Sequence, residues 1–196
     1  MDDNAFEQTV DFIASTISNP SKLLKVKLFI TDLGKMITIG DDHGIYLLEF
    51  CDRKYLDEGI YNLCKKWNFN IAFGTTKAID SIEKEIKMYL CGKLTSFKTH
   101  CYMLGTSFQK KAWQELLNIP YGKTKSYLEQ AQAVEKPSAF RAVANANAKN
   151  RLAIIIPCHR VIQTDGGIGG YGAGVVRKKW LIQHEADSIT FDKIYL

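Results

Sequence analysis

The chain has 196 residues, 46% hydrophobic and 24% charged, with 14 glycines and 4 prolines. That is the composition of a folded chain of one or two domains, and it excludes a disordered, collagen-like or linker-rich one. The net charge of +5 comes from the second half: residues 1–100 carry 13 basic and 14 acidic side chains, residues 101–196 carry 13 and 7, which points either to a polyanion partner or to a solvated lysine-rich surface.

The start, MDDNAFEQTVDF, has neither the basic region nor the apolar core of a secretory signal. No apolar run reaches the roughly 20 residues that span a bilayer. An intracellular chain is expected, cytoplasmic in a prokaryote and nuclear in a eukaryote. Phe6, Val10 and Ile13 are spaced for a short helix, which Asn19-Pro20-Ser21 breaks. Three strand-like runs follow, Val26–Thr31, Met36–Ile39 and Ile45–Phe50, joined by turn-like residues 32–34 and 41–44 as an antiparallel meander. Leu56, Ile60, Leu63 and Trp67 have helical spacing, and Ile71–Phe73 is a short apolar run. Thr76–Leu90 reads as an amphipathic helix stopped at Gly92, and residues 91–106 read as the join between two domains, 1–100 and 101–196.

In the second half, Thr106–Asn118 predicts a helix with Phe108, Ala112, Trp113, Leu116 and Leu117 inward. Ser126–Val134 predicts a short helix, with Ser126 as N-cap and Glu129 three residues on. After Glu135-Lys136-Pro137, Ser138 is expected to cap a third helix through about Ala148. Two short helices across a tight turn suggest a helix-turn-helix. The third carries five alanines around Arg141; they permit close approach to another surface, or are simply good helix formers.

The chemistry concentrates beyond it. Ile154-Ile155-Ile156 reads as a buried strand-like run that stops at Pro157-Cys158-His159-Arg160-Val161. Five cysteines, at 51, 64, 91, 101 and 158, form no CxxC pair, so a disulfide framework is not expected. A free thiol is only a few per cent ionised at neutral pH and needs a base or cation beside it. His159 and Arg160 are candidates, and Glu185 could orient the imidazole, the logic of a triad with sulfur as nucleophile. Gly166–Gly174 is glycine-rich with Tyr171 at its centre; no phosphate-loop signature follows it. Val175–His184 predicts a helix with Arg177, Lys178 and Lys179.

Pro157-Cys158-His159-Arg160-Val161, an Asn eight residues before the cysteine and a Leu-x-x-His-Glu ending resemble the O6-alkylguanine-DNA alkyltransferases, most of all the C-terminal half of the bacterial Ada repair protein. Gly105–Gln109, Ile119-Pro120-x-Gly122, Ser126-Tyr127, Arg141–Val143 and Ala153–Val161 occur in the family's order, and the likeness covers about residues 88–186.

The resemblance implies an α+β fold, with an RNase H-like N-terminal domain of antiparallel strands and a mostly helical C-terminal domain containing a helix-turn-helix. It implies single-turnover transfer of a methyl or other alkyl group from guanine O6 in double-stranded DNA, with O4 of thymine as a second position, onto Cys158. By the same resemblance His159 accepts the thiol proton through a water, Glu185 holds the imidazole, Tyr127 donates to guanine N3, and Asn150 braces the turn. Arg141 fills the stack left by the flipped nucleotide. Ser138, Ala142, Ala144 and Lys125 meet DNA. Tyr171 and the backbone of Val161, Gly172 and Gly174 line the pocket. A monomer without cofactor is implied.

Departures from the family pattern are Gly172 where some relatives have Ser, Phe140 before the arginine, Asn147 at an apolar wall position, and Ala153 where some have Pro. The rival readings are a non-catalytic lesion-binding protein, against which Cys158 argues, a helix-turn-helix regulator and a cysteine hydrolase. Cys51, Cys64, Cys91, Cys101, His43 and His100 lack zinc-ligand spacing and read as packing or surface residues. His184 reads as a helix-surface residue.

Overall fold

A computed structural model describes residues 3–194, with side chains from Phe6 to Ile189. The chain forms two compact units, Met1–Ile86 with Lys98–Tyr102, and Lys87–Phe97 with Met103–Leu196.

In the first unit, α1 (Asp3–Thr16) precedes a sheet of β1 (Lys22–Thr31), β2 (Gly34–Gly40), β3 (Ile45–Phe50) and, after α2 (Leu56–Trp67), β4 (Phe69–Phe73). The strand order is β3-β2-β1-β4. The expected meander is present, with β1–β2 and β2–β3 antiparallel. The apolar run at Ile71 is a fourth strand, β4, and it pairs parallel to β1. The result is a mixed α+β sheet of RNase H-like order. The free edge of β3 is closed at Ile45, whose N–H donates to His100 O at 3.0 Å and whose carbonyl accepts from Tyr102 N–H at 2.8 Å; an open edge would invite pairing with another chain. Helix α3 (Lys77–Leu90) buries Ile79, Ile82 and Ile86, and it seats so close to β2 that a Cβ at Gly40 would lie 3.2 Å from Ile79 Cγ1 and push it back by a few tenths of an ångström.

The second unit begins with the last turn of α3. Helix α4 (Ser107–Leu117) starts at a capping box between Thr106 and Gln109. Helix α5 (Tyr127–Ala133) starts at another, between Ser126 and Glu129, as the sequence predicts. Ser138 does not cap the third helix. Pro137–Ala139 forms a 3-10 turn, and α6 (Phe140–Ala148) follows with no side-chain cap. Leu117, expected inward, is 43% exposed, while Ala112, Trp113 and Leu116 are buried. Helices α4, α5 and α6 close on Ala112, Ala131, Val134, Val143 and Ala146, with Trp113 Nε1 donating to Ala146 O at 2.8 Å. Helix α5, the turn and α6 make the helix-turn-helix.

Ile154–Ile156 is a turn rather than a strand. Ile154 and Ile156 are buried, but Ile154 sits at φ 70°, a left-handed conformation that costs a β-branched residue energy. The chain re-enters a strand only at β6 (Val161–Ile162), parallel to β5 (Lys125–Ser126). Helix α7 runs Val175–Ile194, well past the expected His184. Among the described residues no helix is long and apolar enough to cross a membrane.

Candidate active site

Two local devices set the position of Cys158. The first is Asn150, which is buried. Its Nδ2 donates to Ile156 O at 2.9 Å and to Leu152 O at 3.4 Å, and its Oδ1 accepts from Leu152 N–H at 2.9 Å. These bonds hold the strained turn at Ile154 shut. The same Nδ2 lies 3.3 Å from Cys158 Sγ, a donor aimed at the sulfur. The second device is the β5–β6 pair, which matches Ser126 to Ile162 and so sets Tyr127, first residue of α5, beside the segment that carries Cys158.

Cys158 opens a 3-10 turn, Cys158–Arg160, and is half-buried, whereas His159 within that turn is completely buried. His159 Nε2 bonds Glu185 Oε1 at 2.8 Å, and its Nδ1 has no hydrogen-bond partner. Burial pushes the imidazole below its usual range; Glu185 pulls it up by less, and Arg160 and Lys178 push it down further. The ring is therefore neutral near pH 7, with its proton on Nε2 toward the carboxylate and its lone pair on Nδ1. Burial alone would raise Glu185, but the donors His159 and Arg160 outweigh it and hold the carboxyl at about 2. Arg160 donates through Nε to Oε2 at 2.8 Å and through Nη2 to Oε1 at 3.0 Å. Its Nη1 donates to Ile119 O at 2.6 Å. Arg160 thus pairs with Glu185 in the interior, the forked geometry that suits a buried carboxylate.

A cavity of about 760 Å³ opens on Cys158, with His159, Arg160 and Glu185 buried behind it. Of the residues the sequence pointed to, Cys158, Tyr127, Arg141, Ala144, Tyr171 and Gly172 line it. Val161 and Gly174 lie outside that lining; Val161 is fully buried, and the Gly174 N–H is committed to Tyr171 O at 3.0 Å. Ala142 and Ser138 are exposed and Lys125 is half-buried on β5. The Tyr171 ring stands edge-on to His159, 6.4 Å between centroids. Gly169, at φ 69°, brings the glycine loop so near Tyr127 that a Cβ there would lie 3.3 Å from the ring. Burial, and the nearby Cys158, raise the Tyr127 phenol, so it stays protonated and able to donate.

Three residues, Lys178, Gln130 and Tyr89, have partners here that the sequence reading did not assign, and Asn147, noted at a pocket-wall position, has one too. Lys178, read only as one of three cations on the last helix, is completely buried. Its Nζ donates to Val161 O and to Gly170 O, the latter at 3.1 Å, and lies 5.7 Å from the Tyr127 ring centre. Burial lowers it to about 8, with Cys158 pulling the other way. Lys178 and Glu185 are one face of α7 with buried Leu181 between them, and that i, i+3, i+7 spacing was the available signal. Gln130 and Asn147 form a buried amide pair. Tyr89, in the half of the chain where no catalytic feature was expected, donates its hydroxyl to Glu185 Oε1 at 2.6 Å. His184 is half-buried, with Nε2 bonded to Tyr89 O at 2.8 Å. Among the described residues no group of three or more His, Cys, Asp or Glu is placed to hold a metal ion. Burial raises the Cys64 thiol to about 11 and Cys101 to about 12, which makes both inert.

Comparison with known proteins identifies the family. The family described as 6-O-methylguanine DNA methyltransferase, DNA binding domain, matches residues 107–187. The chain is 38% identical over 157 residues to the methylated-DNA–protein-cysteine methyltransferase of Methanosarcina barkeri, covering 80% of this chain and 94% of that one. It is 47% identical over 105 residues to the Mycobacterium leprae protein of the same name, covering 54% and 64%. Among solved structures it is similar to the Mycobacterium tuberculosis O6-methylguanine methyltransferase, with a TM-score of 0.72, 32% identity, and coverage of 84% and 94%. The structure of Mycobacterium tuberculosis OGT in complex with DNA matches with the same TM-score and 31% identity.

Proposed function

The chain belongs to the methylated-DNA–protein-cysteine methyltransferase family, and from that premise we propose that it reverses DNA alkylation directly, moving a methyl or other alkyl group from guanine O6 onto its own Cys158. O4 of thymine is a second substrate position of the same chemistry. The Cys158 Sγ–carbon bond forms as the O6–carbon bond breaks. The thiol proton passes to His159 through a bridging water, and guanine regains one proton as it returns to its keto form. Glu185 orients the imidazole, and Tyr127 donates to guanine N3 while negative charge builds on the leaving base. The product is a thioether, a very poor leaving group, so one molecule performs one transfer.

The target base lies inside a duplex and must be flipped out, at a cost of a few kcal/mol. Helix α6 enters the minor groove, with Ala142 and Ala144 allowing close approach, Ser138 at the entry and Arg141 filling the vacated stack. Lys125 and the exposed cations of the second half neutralise phosphates without reading sequence, which suits a protein that must search all DNA. Tyr171 and Gly172 close over the flipped base. Residues 101–196 form the catalytic DNA-binding domain and residues 1–100 the RNase H-like domain, except that Lys87–Phe97 pack with the catalytic unit and Cys101 and Tyr102 with the first. The protein works inside the cell, as a monomer.

The observation that carries the reading is Cys158 Sγ in the cavity wall, 3.3 Å from the Asn150 donor, on the turn that holds the buried His159–Glu185 pair. The test is intact-protein and peptide mass after incubation with duplex DNA bearing O6-methylguanine. A stoichiometric gain of one CH2 on the Cys158 peptide, absent in Cys158→Ala, is expected. Tight lesion binding with no gain would instead establish a non-catalytic lesion-binding protein.

A further inference from the structure

The His159–Glu185 pair is not closed on itself. Glu185 Oε1 receives three donors: Tyr89 O–H at 2.6 Å, His159 Nε2 at 2.8 Å and Arg160 Nη2 at 3.0 Å. Oε2 receives Arg160 Nε at 2.8 Å and the Gly122 N–H at 2.9 Å. An ionised carboxylate offers about four acceptor sites, so five donors oversubscribe it. His159 holds only a share of Oε1, and the shortest of the three bonds there belongs to Tyr89. Tyr89 is fully buried in the last turn of α3, and the transfer chemistry described above makes no use of it.

We propose that Tyr89 is a positioning residue of the alkyl transfer: by occupying Glu185 Oε1 it limits the carboxylate's pull on His159 and keeps the imidazole neutral, with the Nδ1 lone pair open as the base. The inference rests on the reading of His159 as the proton acceptor for Cys158. A hydroxyl donor draws negative charge out of Oε1, and less charge there means less stabilisation of a second proton on His159. Once doubly protonated, the ring has no lone pair and cannot take the thiol proton. Removing the Tyr89 hydroxyl gives His159 a larger share of Oε1 and favours the imidazolium, so the acid limit of the reaction moves to higher pH.

The other groups around the pair do not offset this. Arg160, on the Cys158 turn, and Lys178, on α7, are cations that also push His159 down, and both remain when Tyr89 is changed. Tyr121 packs edge-on to the Tyr89 ring, 5.9 Å between centroids, and under the Arg160 guanidinium at 5.6 Å. His184 binds the Tyr89 backbone carbonyl, not its hydroxyl. Cys158, and Tyr171 with its ring edge-on to His159 at 6.4 Å between centroids, are the remaining titratable neighbours among the described residues, and both also stay when Tyr89 is changed. Tyr89→Phe therefore removes one donor and leaves Oε1 with two, stranding no buried acceptor.

The test compares wild type with Tyr89→Phe in two ways. Nuclear magnetic resonance of the four histidine rings gives the His159 midpoint in the free protein, and transfer from an O6-methylguanine duplex gives rate against pH. The expected result is a His159 midpoint higher by about one pH unit. The acid limb of the rate should move with it, making transfer up to about tenfold slower below both midpoints and equal to wild type at high pH. An unchanged midpoint, or a rate lowered equally at every pH, would reduce Tyr89 to a packing residue and overturn the proposal. Should the phenylalanine variant fail to fold, replacing Tyr89 by 3-fluorotyrosine, a stronger donor of nearly the same shape, must lower the midpoint; a rise or no change overturns the proposal equally. The ring titration needs no DNA, so a wild-type protein that transfers nothing would defeat the repair reading without deciding the role of Tyr89.

Discussion

Gln130 on α5 and Asn147 on α6 hold each other side chain to side chain, Gln130 Nε2 donating to Asn147 Oδ1 at 3.2 Å and Asn147 Nδ2 to Gln130 Oε1 at 2.7 Å. The second N–H of Gln130 reaches Ala112 O on α4 at 3.0 Å. Three helices of the DNA-binding unit are thus tied through one buried amide, and Asn147 also lines the cavity. Replacing one partner by an apolar residue strands the other's donors and acceptors. Gln130→Leu and Asn147→Leu should each lower unfolding free energy by about 1–3 kcal/mol. The double variant should lose clearly less than the sum, because the pair then vanishes together. Urea unfolding of the four proteins measures the coupling; strict additivity would show that the pair contributes nothing beyond its separate members.

Phe140 and Arg141 make a second testable pair. The Arg141 guanidinium lies 5.7 Å from the Phe140 ring centre, and both side chains line the cavity. Phe140 is 43% exposed, a large apolar surface left in water. Proteins that kink the minor groove insert apolar wedges between base steps, and stacking of a base on an aromatic ring contributes about 1–3 kcal/mol. Phe140→Ala should therefore weaken binding to lesion-bearing duplex about tenfold or more. Neither Phe140→Ala nor Arg141→Ala should alter alkylation of Cys158 by a free O6-alkylguanine base, which needs no flipping. Equal losses on free base and duplex would place these residues in the chemistry rather than in DNA distortion.

What the sequence revealed and what it concealed divide along physical lines. The capping boxes Thr106/Gln109 and Ser126/Glu129 close within three residues, so the starts of α4 and α5 could be read directly. Ser138 has the right side chain for a cap, but Pro137 starts a 3-10 turn and moves the helix start to Phe140. Ile154–Ile156 announced burial correctly and conformation wrongly, since apolarity reports solvent exclusion and not φ. The β4–β1 pairing joins residues some 47 positions apart, and no local pattern encodes it. Tyr89 and Gln130 looked like ordinary helix residues because the groups they bind lie far off in sequence. Cys158, His159, Arg160 and Glu185 could be named from their residue types and Asn150 from the resemblance, but Tyr89 and Lys178, whose partners lie far off in sequence or at backbone carbonyls, could not.

Lys178 supplies a prediction with a pH signature. Its buried ammonium bridges Val161 O on β6 and Gly170 O in the glycine loop, and a cation near Cys158 favours the thiolate. Lys178→Met keeps the length and apolar stem but removes charge and donors. Iodoacetamide should alkylate Cys158 of this variant about tenfold more slowly at pH 7, equivalent to about one unit in thiol pKa. Burial lowers Lys178 to about 8, so above that pH the wild-type lysine is itself neutral and the two rates should converge. A constant ratio up to pH 10 would mean that Lys178 acts through loop geometry alone.

The buried pair also fixes how stability responds to acid. His159 is depressed from its usual 6.5, chiefly by burial, and Glu185 is held at about 2 from 4.5, its donors overcoming the opposing effect of burial. For both groups the unfolded chain binds more protons than the folded one, so stability rises with pH across their range. The His159 contribution is complete above about 6.5 and is lost as pH falls below it, because the buried neutral ring must then charge. The Glu185 contribution is complete above about 4.5 and is lost toward about 2. Acidification from pH 7 should lower the urea midpoint in two stages. Other carboxylates titrate in the same range; Asp41, held low by Lys22 against its own burial, is one. The difference between wild type and variant is therefore the informative quantity. His159→Gln should remove the first stage. Glu185→Gln should remove the second and cost about 3–5 kcal/mol at pH 7, because it leaves the buried Arg160 charge unpaired. If Glu185→Gln retains the full acid dependence below pH 4.5, the carboxylate is not held ionised in the folded state, and the assignment of the His159 proton to Nε2, facing that carboxylate, loses its basis.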